Sequence, residues 1–451
     1  MKKLLISSVI LLAVLSSCMV GKKYTRPEVT APQSWIGQNN YINTPDSINN
    51  LKWFNIFNDE VLNSLIDTAL KYNHNLASAA LRIEQARAAY GIAKADLLPS
   101  VGYSAGAELN SASPNNFNVV ATASWEIDFW GKLRHAKKAA YAEILASEEG
   151  YKTVTTTLIS DVATYYFQMR DLDNRLKIAL RTVDSRTEYF NLINARFKGG
   201  DVSELDMLQA DQQLAIATAT VNSVKRQLNA TERSLNILLG QTPQAIARGI
   251  ENVDQQVVPV IPAGLPSSLL EQRPDVKQSE YYLMAETERI GVTQAMRLPS
   301  VSLTGLLGVA SADLSNLLSS DATLGSATAG ILGPIFAFGA NKRRVEIQKY
   351  QAEIAANNYL NTYIAALGEV ENALVSIDTY AGEYEARKRQ AESAGKSLML
   401  SQERYKSGYT DYLEVLIAEN SMLDSELLAS QIKAQQLSSY IYLYRALGGG
   451  W

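Results

Sequence analysis

The spacing of apolar and polar residues changes several times along this chain, and each change predicts a different structural element. Between residues 99 and 130, apolar residues alternate with small or polar ones on both sides of a turn at residues 111–116. Strict alternation is the pattern of a β-strand with two unlike faces, so this stretch predicts a long β-hairpin. Residues 299–338 predict a second hairpin, in which Pro299 opens one strand and residues 322–338 form the return strand.

A helical spacing follows each hairpin. From residue 132 to residue 198, apolar residues recur at alternating intervals of three and four: Val162, Tyr165, Met169, Leu172, Leu176, Ala179 and Val183. This heptad pattern predicts a very long helix that packs along a seam, and residues 342–406 predict a second such helix. Glycines break the two helices at Gly199, Gly200 and Gly408. Further helices are predicted at residues 59–72, 75–97, 202–239, 275–297 and 411–447.

The second half of the chain repeats motifs of the first half. The sequence Leu-Pro-Ser-Val at residues 98–101 recurs at residues 298–301, and each copy leads into a predicted hairpin. The sequence Arg-Phe-Lys-Gly-Gly at residues 196–200 recurs as Arg-Tyr-Lys-Ser-Gly at residues 404–408. We therefore expect each half to build the same order of elements, namely helix, hairpin, very long helix, break and long helix.

The N-terminus predicts an exported lipoprotein. Lys2 and Lys3 precede an apolar run at residues 4–15, which suits a signal peptide and is too short to span a bilayer as a helix. The run ends in Leu-Ser-Ser-Cys, which resembles the bacterial lipobox, and Cys18 is the single cysteine of the chain. We expect a covalent lipid at Cys18 and no other cofactor; the alternative is an unmodified cysteine in an ordinary leader.

These patterns divide the chain into eight segments. They are a signal peptide (1–17), a lipidated extended arm (18–58), helices of the first repeat (59–98), a first β-hairpin (99–130), a first coiled-coil hairpin (131–240), a connector with helices of the second repeat (241–298), a second β-hairpin (299–338) and a second coiled-coil hairpin (339–451).

The four predicted strands cannot form a membrane pore within one chain. About eight strands are the practical minimum for a closed barrel, and open strand edges are not viable in lipid. The chain must therefore oligomerise, and two copies would supply eight strands while three would supply twelve.

Composition argues against nucleic-acid binding, metal binding and catalysis. The net charge is −4, and the chain contains only two histidines, His74 and His135, besides its one cysteine. It has no glycine-rich phosphate loop and no Gly-x-Ser-x-Gly motif. We assign no catalytic and no metal-binding residue.

Taken together and in this order, several motifs resemble a known family. They are Cys18, the arm with Tyr24 and Arg26-Pro27, the two Leu-Pro-Ser entries, Phe129-Trp130-Gly131, and Arg404–Gly408 followed by Tyr412-Leu413-Glu414-Val415-Leu416. The chain resembles the outer-membrane efflux proteins, the TolC-like channel-tunnel family, and within it the lipoprotein branch that serves tripartite efflux pumps.

The resemblance implies an α+β membrane protein that assembles as a homotrimer. Two β-hairpins from each chain would form a shared 12-stranded β-barrel in the outer membrane, and the long helices would form a hollow α-barrel in the periplasm. The implied partners are outer-membrane lipid, a periplasmic adaptor (membrane fusion) protein and an inner-membrane transporter of the RND type. The channel would be a passive conduit for small molecules such as drugs or metals.

The resemblance also implies a gate at the periplasmic tip. Arg404 and Tyr405 match positions that link helices at the constriction in this family, and Arg196 is the first-repeat counterpart of Arg404. Asp206, Asp411 and Glu414 are candidate gate carboxylates, because Ile417 stands where some relatives have an aspartate. The alternative is that these carboxylates are solvated and that Arg404 interacts with a helix C-terminus. Gly199, Gly200 and Gly408 would lie at the tip that faces the adaptor.

Two other functions share some of these features. The outer-membrane channel of a type I protein-secretion system has the same fold and differs in cargo and partners, although such channels commonly lack a lipobox. A structural coiled-coil lipoprotein without a pore would not need two long alternating hairpins.

Overall fold

The computed structural model describes residues 19–21, 23–30, 32, 35, 57, 59–109, 111, 114–255 and 272–449. Within these residues the helices are α1 (Glu60–Tyr72), α2 (His74–Ala95), α3 (Lys132–Gly199), α4 (Glu204–Leu238), α5 (Pro274–Ala295), α6 (Ala340–Lys406) and α7 (Tyr412–Ala446). The strands are β1 (Ser100–Glu108), β2 (Asn116–Ile127), β3 (Ser300–Ser311) and β4 (Thr323–Leu332). None of these helices is both long and apolar enough to cross a membrane.

The chain folds into two compact units. The sheet unit comprises residues 1–30, 79–151 and 275–362, and the helical unit comprises residues 31–78, 152–274 and 363–451. The long helices α3 and α6 contribute residues to both units.

The sheet unit holds one antiparallel sheet in the order β1-β2-β3-β4. The two hairpins are joined by pairing of β2 with β3, in a register that sets Phe117 opposite Ser311 and Ile127 opposite Val301. β1 and β4 are the edges, and every residue of β1 is exposed. Among the residues that the structure describes, this antiparallel sheet of alternating residues therefore has no strand paired to either of its outer edges.

The return strand of the second hairpin is shorter than its sequence pattern predicts. β4 ends at Leu332, and residues 333–338 are not strand, so the prediction is wrong beyond Leu332. Pro334 explains the early end, because proline has no N–H to donate to the ladder. Ile335, Phe336 and Phe338 stay exposed in this segment.

β2 ends at Ile127, before the predicted end of the hairpin at residue 130, because the chain turns at Asp128 toward α3. The Asp128 carboxylate accepts hydrogen bonds from the backbone N–H of Leu133 (3.0 Å) and Arg134 (2.9 Å), at the start of α3. These N–H groups have no partner within the helix, so the carboxylate stabilises the N-terminus of α3.

The N-terminal arm is held to the sheet unit by polar contacts. The backbone N–H of Val20 donates to the carbonyl of Trp130 at 3.1 Å. Glu280, on α5, accepts from the Tyr24 hydroxyl at 2.9 Å and from the Arg26 guanidinium at 2.7 and 2.8 Å. A two-point contact between guanidinium and carboxylate fixes orientation as well as position.

The core of the helical unit follows the predicted seams in part. In α3, Val162, Met169, Leu172 and Ala179 are buried, whereas the neighbours Tyr166 and Phe167 are more buried than the predicted Tyr165. In α6, each predicted seam position of this unit, from Tyr363 to Ile377, is buried. Alanine at several of these positions leaves room for close helix packing.

Candidate functional site

The two long helices end in turns of the same geometry. We call residues 196–206 the first turn and residues 404–414 the second turn; both belong to the helical unit. Gly200 and Gly408 adopt φ of +82° and +74°, in the left-handed region. In each turn this glycine N–H bonds to the carbonyl three residues back, and the next N–H bonds to the carbonyl five residues back. This is the Schellman pattern that ends helices, whereas Gly199 is still helical.

Two of the predicted gate carboxylates cap the helices that leave the turns. Ser203 and Asp206 form a capping box at the start of α4, in which the Ser203 N–H donates to Asp206 at 3.0 Å. Asp411 is the N-cap of α7 and accepts from the Glu414 N–H at 3.4 Å. A carboxylate near a helix N-terminus satisfies free N–H groups and interacts favourably with the helix dipole.

Arg404 and Glu414 form an ion pair across the second turn. The Arg404 Nε lies 3.3 Å from Glu414 Oε1, and the two side chains are 58% and 39% exposed. The other Glu414 oxygen accepts from the Thr410 hydroxyl at 2.6 Å. An exposed pair of this kind contributes only about 0–1 kcal/mol, so it closes the turn with a contact that is easily broken.

Tyr405 does not expose its hydroxyl. The side chain is 8% exposed and its hydroxyl has no hydrogen-bond partner within the described residues. Its ring lies 5.7 Å from the Tyr412 ring, and the Arg196 guanidinium lies 5.2 Å from the Tyr405 ring centre. This cation–π contact joins the first turn to the second. The hydroxyl that distinguishes Tyr405 from Phe197 of the first turn therefore makes no hydrogen bond within the described residues.

A buried ion pair lies beyond the two turns: Arg186 is about three helical turns before Arg196 on α3, and Glu419 is about one and a half turns after Glu414 on α7. Arg186 on α3 is 2% exposed and Glu419 on α7 is 6% exposed. Arg186 donates to the Gln213 carbonyl at 2.8 Å and to the Asn420 side chain at 2.7 Å, while its Nε lies 3.9 Å from Glu419 Oε2. Burial raises the pKa of Glu419, and the Arg186 charge opposes this rise.

Comparisons with known proteins extend over nearly the whole chain. Residues 65–241 and 265–449 match the family model of the outer membrane efflux protein. The chain is 30% identical over 444 residues to the cation efflux system protein CusC of Escherichia coli (strain CFT073), which covers 97% of this chain and 96% of that protein. It is 29% identical over 462 residues to the probable outer membrane lipoprotein SilC of Salmonella typhimurium, and the match covers 100% of both.

A solved structure agrees with these sequence matches. The Campylobacter jejuni CmeC outer membrane channel has a TM-score of 0.88 with this chain at 27% identity, covering 96% of this chain and 95% of the channel.

The chain belongs to the outer membrane efflux protein family.

This outer membrane efflux protein is therefore the outer-membrane component of an efflux pump, as its sequence motifs predict. Its fold is the α+β fold of the channel proteins in the family. The relatives named above include a lipoprotein, which agrees with the predicted lipoprotein class. Cys18 itself lies outside the described residues.

The structure of the efflux protein brings the predicted residues together in two groups. Arg404 and Glu414 meet directly, and Arg196 meets Tyr405, whereas Asp206 and Asp411 serve the N-termini of α4 and α7. Sequence reasoning missed Glu419 and Arg186. One signal was available: Glu419 lies one helical turn beyond Val415 and so shares the apolar side of α7.

Proposed function

We propose that this efflux protein is a homotrimeric passive conduit that exports small molecules from the periplasm to the exterior. The observation that carries the proposal is the open sheet, whose edge strands β1 and β4 each have a free edge with no further strand beside it among the described residues. Unpaired edges cannot persist in lipid, so copies of the chain must pair them. Three copies would supply twelve strands and enclose a lumen wider than that of an eight-stranded barrel.

A passive conduit requires partners that provide energy and engage its periplasmic tip. We assign these roles to an inner-membrane transporter of the RND type and to a periplasmic adaptor protein. Apolar side chains beside the turns support such docking: Leu205 and Leu208 on α4, and Leu413 and Ile417 on α7, are all more than half exposed. Exposed apolar patches mark interaction sites on soluble surfaces.

A lipid on Cys18 would anchor the trimer beside its sheet. Met19 and Val20 follow Cys18 directly, and Val20 is bonded to Trp130 near the end of β2. An acyl chain attached at Cys18 would therefore start close to the membrane strands.

In this proposal, the Arg404–Glu414 pair of the second turn helps to hold the channel closed at rest, and we call this pair the lock. The Arg404–Glu414 pair is exposed and of modest strength, so adaptor binding can offset its loss. Arg196 on the Tyr405 ring ties the first turn to the second, so the two turns of a chain move together.

Conductance in planar bilayers tests the lock. Arg404→Ala combined with Glu414→Gln removes the pair from each chain. If each pair contributes about 0.5 kcal/mol and three open together, the open population should rise about tenfold. Tyr405→Phe is the matched control, because it keeps the ring beneath Arg196 and removes only a hydroxyl without a partner.

Two results would contradict the proposal at different levels. If the double variant has the same conductance as the parent, the Arg404–Glu414 pair does not hold the channel closed. A purified protein that forms no pore at all would refute the conduit. In cells, loss of the protein should sensitise them to small toxic compounds; a defect in protein secretion instead would favour the type I secretion channel.

A further inference from the structure

Glu419 stands out among the buried charges of the helical unit, because its carboxylate has no hydrogen-bond donor. Both oxygens are shielded from solvent and neither has a hydrogen-bond partner within the described residues. Its nearest cation is Arg186, at 3.9 Å, which is beyond hydrogen-bond distance. A buried ionised carboxylate without donors is costly, so this side chain is poised to bind a proton.

A cavity adjoins this carboxylate. It has a volume of about 220 Å³ and lies between α3, α6 and α7. Its lining includes Arg181, Ser185, Arg186, Leu398, Glu419 and Glu426. Water occupies about 30 Å³ per molecule in the liquid, so the cavity has room for several waters that could solvate an ionised Glu419.

The other charged and titratable groups near Glu419 come from all three helices around the cavity. Arg181 and Glu426 are paired with each other, so their charges balance. Tyr189, Tyr405 and Tyr412 interact electrostatically with one another. The charge of Glu419 also contributes to raising the pKa of Tyr189 and of Tyr412. Asp424 acts on Arg186 rather than on Glu419. Among the described residues, Arg186 is therefore the cation within ion-pair distance of Glu419, and it makes its hydrogen bonds to Gln213 and Asn420 instead.

We propose that Glu419 is a proton-binding site that controls the packing of α3 against α7 beside the turns. The protonated side chain fits the packed arrangement, because neither of its oxygens has a donor there and the Arg186 guanidinium keeps its hydrogen bonds to the Gln213 carbonyl and the Asn420 side chain. The ionised side chain draws water into the cavity, and the packing of α7 on α3 loosens.

The direction of the pH effect follows from linkage. Burial holds the pKa of Glu419 above its ordinary value of 4.5 in the packed arrangement. Protonation therefore favours packing, and this stabilisation is full below pH of about 4.5 and is lost as pH rises through the raised pKa. The effect of Glu419 on the channel as a whole rests on the proposed function: acid should favour the closed turns, and neutral pH should make them easier to open.

Hydrogen exchange on the intact, detergent-solubilised protein tests the proton site without reference to conductance. Peptides covering residues 412–426 and 181–193 are compared at about pH 5 and about pH 8, after observed rates are divided by intrinsic chemical rates. We expect protection in the parent to be greater at the lower pH, by about tenfold for each unit by which the pKa is raised. Residues 216–224 of α4, which include buried positions and carry no titratable side chain, provide an internal reference and should show no such change.

Two variants assign the effect to one carboxyl. Glu419→Gln keeps the shape and cannot ionise, so it should be highly protected at both pH values. Glu426 lies on the same helix and lines the same cavity, so Glu426→Gln is the matched control and should keep the pH dependence of the parent. Should Glu419→Gln fail to assemble, Glu419→Asp retains an ionisable group and should retain the dependence.

The outcomes separate this inference from the proposed function. Equal protection of the parent at both pH values, or a pH dependence that persists in Glu419→Gln, would overturn the proton site. A third outcome is also informative: the pH dependence of protection is lost in Glu419→Gln, but the conductance of the parent does not change with pH. This outcome would support the proton site and contradict its effect on the gate.

Discussion

Two buried carboxylates of the helical unit show how differently the same chemical group can be treated by its surroundings. Asp59 is 1% exposed and accepts five hydrogen bonds, from the N–H groups of Val61, Leu62 and Ile250, the Tyr166 hydroxyl and the Gln255 amide. Glu419 is almost as buried, at 6% exposed, and accepts no hydrogen bond from any described residue. The donors make Asp59 a structural joint between α1, α3 and residues 250–255, whereas their absence makes Glu419 sensitive to protons.

Replacing Asp59 by asparagine tests this joint. The substitution removes the charge and turns an N–H₂ group toward donors, so we expect the free energy of unfolding to fall by about 2–4 kcal/mol. The measurement is the midpoint of thermal unfolding by circular dichroism. Asp67→Asn is the matched control, because Asp67 lies on α1, the helix that Asp59 caps, and is exposed. Equal midpoints for the two variants would show that the donors around Asp59 add little.

At the scale of elements, the duplicated turns keep the same helix ending but differ in how the next helix begins. Both turns use a left-handed glycine and the same pair of backbone hydrogen bonds. In the first turn Asp206 takes part in a capping box, whereas in the second turn Asp411 is the N-cap and Glu414 contacts both Thr410 and Arg404. The extra ion pair follows from this local difference in capping.

Alanine at Gly408 should weaken the second turn. The position has φ of +74° and open space around it, so the cost is conformational, at about 1–2 kcal/mol. Gly382→Ala lies inside the same helix α6, also in open space, and should instead stabilise by about 0.5–1 kcal/mol. Thermal unfolding of both variants provides the measurement, and shifts of the same sign would contradict the account.

At the scale of the whole molecule, the sheet is the part that a single chain leaves incomplete. The pairing of β2 with β3 fuses the two hairpins into one four-stranded sheet, and the edges β1 and β4 remain for other copies. The apolar residues of β1, including Val101 and Tyr103, are exposed for the same reason.

Native mass spectrometry of the detergent-extracted protein should therefore detect three chains in each particle. Three copies provide the twelve strands proposed for a lumen that conducts solutes, whereas two would provide a barrel filled by side chains. A dimer as the largest stable species would contradict the proposed conduit.

The sequence by itself determined the elements of this protein and much of its function. Alternation in the hairpins, the heptad seams and the breaks at Gly200 and Gly408 are local patterns, and local patterns encode local structure. The lipobox at Cys18 and the duplicated motifs identified the family by the same local means. The early end of β4 is an exception that a single proline explains.

Only the tertiary structure decided which distant residues meet. The pairing of β2 with β3, the five donors around Asp59, the Arg196–Tyr405 contact and the Arg186–Glu419 pair each join segments far apart in the chain. Helical periodicity tells which face of α7 is buried but not which helix covers it, so Glu419 could be placed on the buried side without its partner or its cavity being known. Burial and the positions of hydrogen-bond donors decide whether a carboxylate caps a helix, forms an ion pair or binds a proton. Both depend on how the chain packs in three dimensions.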